Sequence, residues 1–275
     1  MHKNDMQKML NVSDDTTLII TTYNKPVFLE LVLKSVLRQR VLPGEVIVAD
    51  DGSKDETRML IERYQALFPV PLIHSWIPDE GFRLSMSRNV AIAKAKGDYI
   101  IIIDGDIVLG PSFVQDHVLA REPGFFINGN RARLTEAATR RHCERMDPCI
   151  TAFTPGLKRP LVMLRLPWLH HFSKGASGID KIRGCNMSFW KKDLVTVNGF
   201  EERIEGWGCE DTELVDRLYH IGVQRKNIKG LAPCVHLYHP KAKENYETHK
   251  ANISIREETE RLRKTRADKG LSQYL

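Results

Sequence analysis

Short apolar runs punctuate the first part of the chain: Thr17 to Thr22, Glu45 to Ala49, Pro71 to His74 and Tyr99 to Ile103. Each is too short for a helix and bounded by polar or turn residues, so each reads as a β-strand. Between them, Lys25 to Arg40, Asp55 to Phe68 and Ser85 to Ala95 place apolar residues at helical spacing. Strands alternating with helices predict an α/β fold, a mostly parallel central sheet flanked by helices. In such a sheet the ligand lies beyond the carboxyl ends of the strands, so the loops after the strands are where chemistry is expected.

Farther along, the pattern weakens. From about Arg121 to Arg183 basic residues gather without clear periodicity, among them Arg131, Arg133, Arg140, Arg141, Arg145, Lys158, Arg159 and Arg165. The stretch reads as a surface insertion or as a mobile loop region over a site, the second being preferred here. Gly184 to Trp190 then reads as a strand, followed by a helix from Asp193 and another through Leu218. The segment 241–275 mixes charges of both signs with apolar Ile253, Ile255 and Leu262, and predicts a solvated helix, or alternatively a basic helix resting on anionic lipid.

Composition narrows the class only modestly. With 275 residues and 42% hydrophobic content the chain can bury a core, which argues against disorder. A net charge of +6 is mild and does not choose among an anionic substrate, a nucleic acid and an acidic membrane. The basic stretch lacks aromatic interleaving and any nucleic-acid reading motif, so nucleic acid is not expected as a partner. Cys143, Cys149, Cys185, Cys209 and Cys234 are dispersed, without the CxxC spacing of a zinc or redox site, and fit a reducing cytoplasm. The polar start MHKNDMQKMLNVSDD is neither a signal nor a transit peptide. Nowhere do about 18 apolar residues follow one another, so any membrane contact is expected to be peripheral, at the inner face of the cytoplasmic membrane.

The loops after the strands are polar: Thr21-Thr22-Tyr23-Asn24, Asp50-Asp51-Gly52-Ser53 and Asp104-Gly105-Asp106. Asn24 and Asp51 can each be explained as a cap on the helix that follows, and Asp-Gly is a common turn pair. Several acidic or amide loops at one sheet edge are harder to explain so. Asp104 and Asp106 are hard oxygen ligands of the kind that suits Mg²⁺ or Mn²⁺ bound together with substrate phosphates. Arg88, just upstream, is placed to meet phosphate oxygens with a forked guanidinium. Glu210-Asp211, in Gly206-Trp207-Gly208-Cys209-Glu210-Asp211, can be an acid-rich helix start or a catalytic pair, with Trp207 as a platform for an apolar sugar face. His236 and His239 are candidate imidazole ligands.

In this order and combination, these motifs resemble the inverting glycosyltransferase family 2 enzymes of the GT-A fold. The C-terminal region is similar to that of galactosyltransferases and polypeptide N-acetylgalactosaminyltransferases. The resemblance runs from about Thr17 to about Pro240. It implies one GT-A domain over 1–240, with a nucleotide-binding half at about 17–120, an acceptor half at about 180–240, and a charged helical tail at 241–275. It implies that Thr21, Tyr23 and Asn24 line the nucleotide pocket, that Asp51 meets the uracil ring, that Arg88 lies near the diphosphate and Asp104 near the ribose. Asp106 would bind Mn²⁺ or Mg²⁺, with His236 matching the family's metal histidine better than His239. Asp211 would be the general base and Glu210 a sugar-binding partner, with the reverse open. Ala91 stands where many relatives have glycine after Arg-Asn. The implied reaction is single displacement from a UDP-sugar onto a glycan or glycolipid hydroxyl. Galactose, glucose and N-acetylhexosamines are the candidate sugars, and a bacterial surface polysaccharide or lipopolysaccharide is the expected product. A nucleotidyltransferase usually has a glycine-rich, basic phosphate loop after the first strand and a dehydrogenase a GxGxxG turn, and Thr21 to Pro26 is neither. A non-catalytic carbohydrate- or nucleotide-binding protein on the same fold, or a nucleotidyltransferase, is the alternative reading.

Overall fold

The computed structural model of the chain describes residues 11–172, 175–176, 178–179, 182–240 and 245–275. Its first half is the expected alternation: β1 (Val12–Thr22), α1 (Pro26–Val36), β2 (Leu42–Asp50), α2 (Asp55–Gln65), β3 (Leu72–Trp76), α3 (Leu84–Lys94) and β4 (Tyr99–Asp104). These strands are parallel, in the order β3-β2-β1-β4. Period-two alternation sorts their side chains onto two faces. Leu18, Ile20, Val46, Val48, Ile101 and Ile103 pack with Leu29, Val32, Leu33 and Val36 of α1. Ile19, Ile47, Ala49, Ile100 and Ile102 face the other way, under Ala91 and Ile92 of α3. Each fully buried Ile, Leu or Val is worth about 1.5–3 kcal/mol, which makes these central strands the rigid base on which the loops stand.

The chain continues through β5 (Ile107–Leu109), α4 (Phe113–Ala120), β6 (Phe125–Asn128), β7 (Ala132–Leu134), α5 (Glu136–Arg145), β8 (Leu157–Lys158) and β9 (Gly175–Ala176). It ends with β10 (Asn186–Trp190), α6 (Lys191–Thr196), α7 (Glu210–His220), β11 (Gln224–Asn227), β12 (Cys234–His236) and α8 (Tyr246–Arg261). β10 runs antiparallel to β4 and extends the main sheet, which among the described residues reads β3-β2-β1-β4-β10-β6-β11-β9. A second sheet, β5-β12-β7-β8, stands beside it.

The stretch from Arg121 to Arg183, expected to be an insertion or a mobile loop, instead contributes β6 and β9 to the main sheet and β7 and β8 to the second. Strands this short hold too few residues for alternation to show in sequence. The C-terminal segment does form a helix, and it is docked. Asn252 and Thr259 of α8 are buried, Asn252 donating to the carbonyls of Glu205 and Gly208 and Thr259 to Glu213 Oε1. Beyond α8, Leu271 is fully buried in the core cluster that holds Leu214 and Leu218 of α7. No helix among the described residues is long and apolar enough to cross a membrane.

Candidate active site

The strand ends of the parallel sheet are level. Thr22 pairs with Asp50 across β1 and β2, and Thr21 with Asp104 across β1 and β4, so the polar loops leave the sheet side by side. The capping roles open to Asn24 and Asp51 fall elsewhere than on the helices that follow them. Asn24, at φ +47°, accepts through Oδ1 from the Lys54 amide at the start of α2 and donates its own N–H to Ser53 Oγ. Asp51 Oδ2 accepts from the Arg83 amide just ahead of α3, and its Oδ1 is buried without a partner. Burial pushes the Asp51 carboxyl up to about 6, against the pull of the Arg83 amide. Gly52, at φ +90°, is required at this turn, because a Cβ there would stand 2.5 Å from Asp79 Cα. Tyr23 is half exposed and donates to Asp79 Oδ2 at 3.2 Å.

At the end of β4 the chain passes so close to β1 that a Cβ on Gly105 would lie 2.5 Å from the Thr21 carbonyl oxygen. Glycine between the two aspartates is therefore a steric need, and it turns Asp106 toward the second sheet. There β12 runs antiparallel to β5, setting His236 opposite Ile107, and the Leu237 amide donates to the Asp106 carbonyl. His239 Nε2 lies 3.0 Å from Asp106 Oδ2 and His236 Nε2 lies 3.6 Å from Oδ1. Ligand atoms from Asp106, His236 and His239 all fall within 4.8 Å of one another. Asp106 Oδ1 is buried and has no hydrogen-bond partner. Burial works against a charged Asp106, but the His239 hydrogen bond and the charges of His236, His239 and Lys25 outweigh it and hold the carboxyl below its usual range. Burial pulls His236 down, while the hydrogen bond to Asp106 raises His239. One carboxylate and two imidazoles with an unfilled acceptor fit a divalent cation that completes its shell with water or phosphate.

A second cluster of acids surrounds one guanidinium. Arg88 of α3 is 1% exposed; its Nη2 lies 3.3 Å from Asp104 Oδ1, its Nη1 3.4 Å from Glu210 Oε1, and its plane sits over Phe200. Thr21 Oγ1 also donates to Asp104. Gly206, Gly208 and Cys209 all have positive φ, a tight turn that launches α7 with Glu210 and Asp211 in its first turn. Asp211 Oδ2 accepts from the Gly184 amide at 2.8 Å. Burial raises both Asp104 and Glu210, Glu210 to about 7, with the charge of Asp211 adding to that rise and Arg88 opposing it. Trp207 is half exposed, its ring 5.8 Å from that of His249 on α8.

The fold thus brings Arg88, Asp104, Glu210 and Asp211 together, and sets Asp106 with His236 and His239 around the next bend of the same loop. Thr21 bridges to Asp104, while Tyr23, Asn24 and Asp51 occupy the adjoining loops. Both histidines reach Asp106, where sequence matching preferred His236. The Gly184 amide, the Arg83 amide and the His249 ring were not visible in sequence, since each acts through a backbone group or a tertiary contact with no motif of its own.

Comparison with known proteins gives the same family. The profile of glycosyl transferase family 2 matches residues 17–173, and the profile described as the N-terminal domain of galactosyltransferase matches 170–240. Chondroitin synthase of Escherichia coli is 27% identical over 270 residues, covering 89% of this chain; the chain spans only 38% of that relative's length. Among solved structures, S. aureus TarS 1-349 in complex with UDP-GlcNAc aligns at a TM-score of 0.62 and 16% identity, over 94% of this chain and 69% of that one. The mannosyltransferase PcManGT of Pyrobaculum calidifontis, in complex with GDP-Man and Mn²⁺, aligns at 0.55 and 18% identity, over 90% and 62%. At these identities the structures speak to the fold, which is that of GT-A transferases.

Proposed function

The chain belongs to glycosyl transferase family 2, and from that premise we propose that it transfers a hexose or N-acetylhexosamine from a UDP-sugar to a glycan hydroxyl, with inversion, in the assembly of a bacterial surface polysaccharide or lipopolysaccharide. The observation that carries this reading is the meeting, at the ends of β1 and β4, of Asp106, His236 and His239 with the buried Arg88 and the Glu210-Asp211 pair. Asp51 supports a nucleoside: its buried, partnerless Oδ1 is an acceptor waiting for a ring N–H, next to the exposed Tyr23 ring on which a base can stack. Uridine rather than another base is supported by the UDP-GlcNAc bound to the TarS structure, and the GDP-Man bound to PcManGT makes the base a point to be tested.

Asp106, His236 and His239 would hold Mn²⁺ or Mg²⁺, which supplies charge neutralisation to a departing diphosphate. The remaining chemistry falls to the chain. Arg88 holds Asp104 and Glu210 in place from beneath. Trp207 offers its exposed face to the sugar. Asp211, oriented by the Gly184 amide, accepts the proton of the acceptor hydroxyl as that oxygen bonds to the anomeric carbon. The bond from the same carbon to the diphosphate oxygen breaks with its electron pair leaving on UDP. Glu210, raised to about 7, is partly protonated near neutrality and in that form can donate a hydrogen bond.

The test is release of UDP from UDP-galactose, UDP-glucose and their N-acetyl forms, with GDP-mannose as control, followed by NMR of the anomeric proton in the product. Turnover of a UDP-sugar to a product of opposite anomeric configuration is expected. Turnover of GDP-mannose alone would refute the uridine assignment, and retention would refute single displacement.

A further inference from the structure

The basic residues between Arg121 and Arg183 divide into two sets. Arg165 is structural: its guanidinium forms three hydrogen bonds to buried Asp116, whose other contact is the Ala232 amide. Arg131, Arg133, Lys158, Arg159 and Arg183 are different, for among the described residues none of them meets a carboxylate. The second sheet lines several of them up. Its pairing sets Ile107 opposite His236, His236 opposite Arg133, and Arg133 opposite Lys158, so these positions share one face in a row. The opposite face, with Val108, Val235, Ala132 and Leu134, is buried in an apolar core against Leu31 and Ala138. The row therefore starts at the metal histidine and runs outward through exposed Arg133 and Lys158.

Arg183 and Arg131 flank the start of this row. Arg183 is held by its carbonyl, which accepts from Asn128 Nδ2, and it immediately precedes Gly184, whose amide binds Asp211. Arg131 has a buried Nε without a partner. The charges that most affect Arg133 are other guanidiniums: Arg131 first, then Arg183 and Arg159 with burial between, and together they depress it. Like charges gathered at close range without counter-ions are costly unless an anion joins them.

Building on the glycosyl-transfer reading, we propose that this row binds the acceptor, and that the acceptor is an acidic saccharide whose carboxylate or phosphate is gripped by Arg133, Arg131 and Lys158 while its hydroxyl faces Asp211. Guanidinium forks suit carboxylate and phosphate oxygens equally. Arg133 and Lys158 follow His236 outward along the second sheet, so their anion is assigned to the acceptor, and the UDP affinity of the double variant below decides between acceptor and donor diphosphate.

The experiment is calorimetry on the full chain already saturated with Mn²⁺ and UDP. Three disaccharides are titrated: one ending in glucuronic acid, its neutral counterpart ending in glucose, and the glucose-6-phosphate-ending form. At least one acidic form is expected to bind about tenfold or more tightly than the neutral one, and whichever does so identifies carboxylate or phosphate as the source. Arg133→Gln with Lys158→Gln, both exposed and so tolerable to the fold, should erase the preference and leave UDP affinity unchanged. Equal binding of all three, binding of none at millimolar concentration, or a preference that survives the double variant would overturn the proposal. So would a parallel loss of UDP affinity, which would assign the row to the donor. Because UDP is titrated first, failure of that step strikes the glycosyl-transfer reading itself, whereas UDP binding without acid preference removes only the acceptor assignment.

Discussion

Two acidic clusters stand a bend apart on one loop, and their surroundings treat the same functional group in opposite ways. Asp106, with two imidazoles and Lys25 around it, is held below the usual carboxylate range in spite of burial. Asp104 and Glu210, sharing one buried arginine with a second carboxylate close by, are raised. The first environment keeps an anion available to a cation, while the second favours the protonated form of its carboxyls. A single residue separates Asp104 from Asp106, and the backbone turn at that Gly105 sends them to different partners.

The sharpest way to break this division is Asp211→Asn. Loss of the proton acceptor should lower transfer by about 10²–10⁴, measured as product formed under saturating donor, with UDP affinity in Mn²⁺ unchanged. Next comes the metal corner: His239→Ala should weaken Mn²⁺-dependent UDP binding by about 10- to 100-fold, read by titration, and chelation should bring the wild type to the same level. Arg88→Met tests the shared guanidinium. It leaves Asp104 and Glu210 buried without their counter-charge and should cost roughly 3 kcal/mol of stability, seen in denaturant unfolding.

The pH dependence gives a smaller effect with a definite sign. Glu210 rises from 4.5 unfolded to about 7 folded, so the folded state binds the extra proton in that window. Its contribution therefore favours folding below pH 4.5 and is lost as pH climbs through 7. Glu210→Gln should flatten the fall in melting temperature between pH 5 and 7.5 relative to wild type; identical profiles would count against a proton held there. The mildest change is Gly184→Ala, whose Cβ would sit 3.3 Å from Arg88 Nη2 and 3.4 Å from Asp211 Cβ. A few-fold loss in turnover, with normal UDP affinity, is the expected result.

The parallel half of the fold was legible because isoleucine-rich strands buried on both faces leave a strong local signal, as in Ile100 to Ile103. The polar loops after those strands were legible for the same reason. The second sheet was not: β7 and β8 have three and two residues, and β7 is held by pairing with β12, roughly a hundred residues away in sequence, while β8 is held only by β7. The site divides along the same line. Asp104, Asp106, Glu210 and Asp211 announce themselves as short motifs, but the reach of His239 to Asp106 and the grip of the Gly184 amide on Asp211 exist only once β12 and β10 are in place. The docking of α8 through Asn252 and Thr259 was hidden too, because two buried polar residues on a charged helix do not stand out from its solvated face.

The most direct test of the divided clusters is UDP titration with Mn²⁺ into Asp106→Asn and Asp211→Asn side by side, each repeated after chelation. The account predicts that Asp106→Asn loses the metal-dependent part of the affinity and that Asp211→Asn keeps all of it while failing to transfer sugar. Equal losses in the two variants, or intact metal-dependent binding in Asp106→Asn, would contradict it.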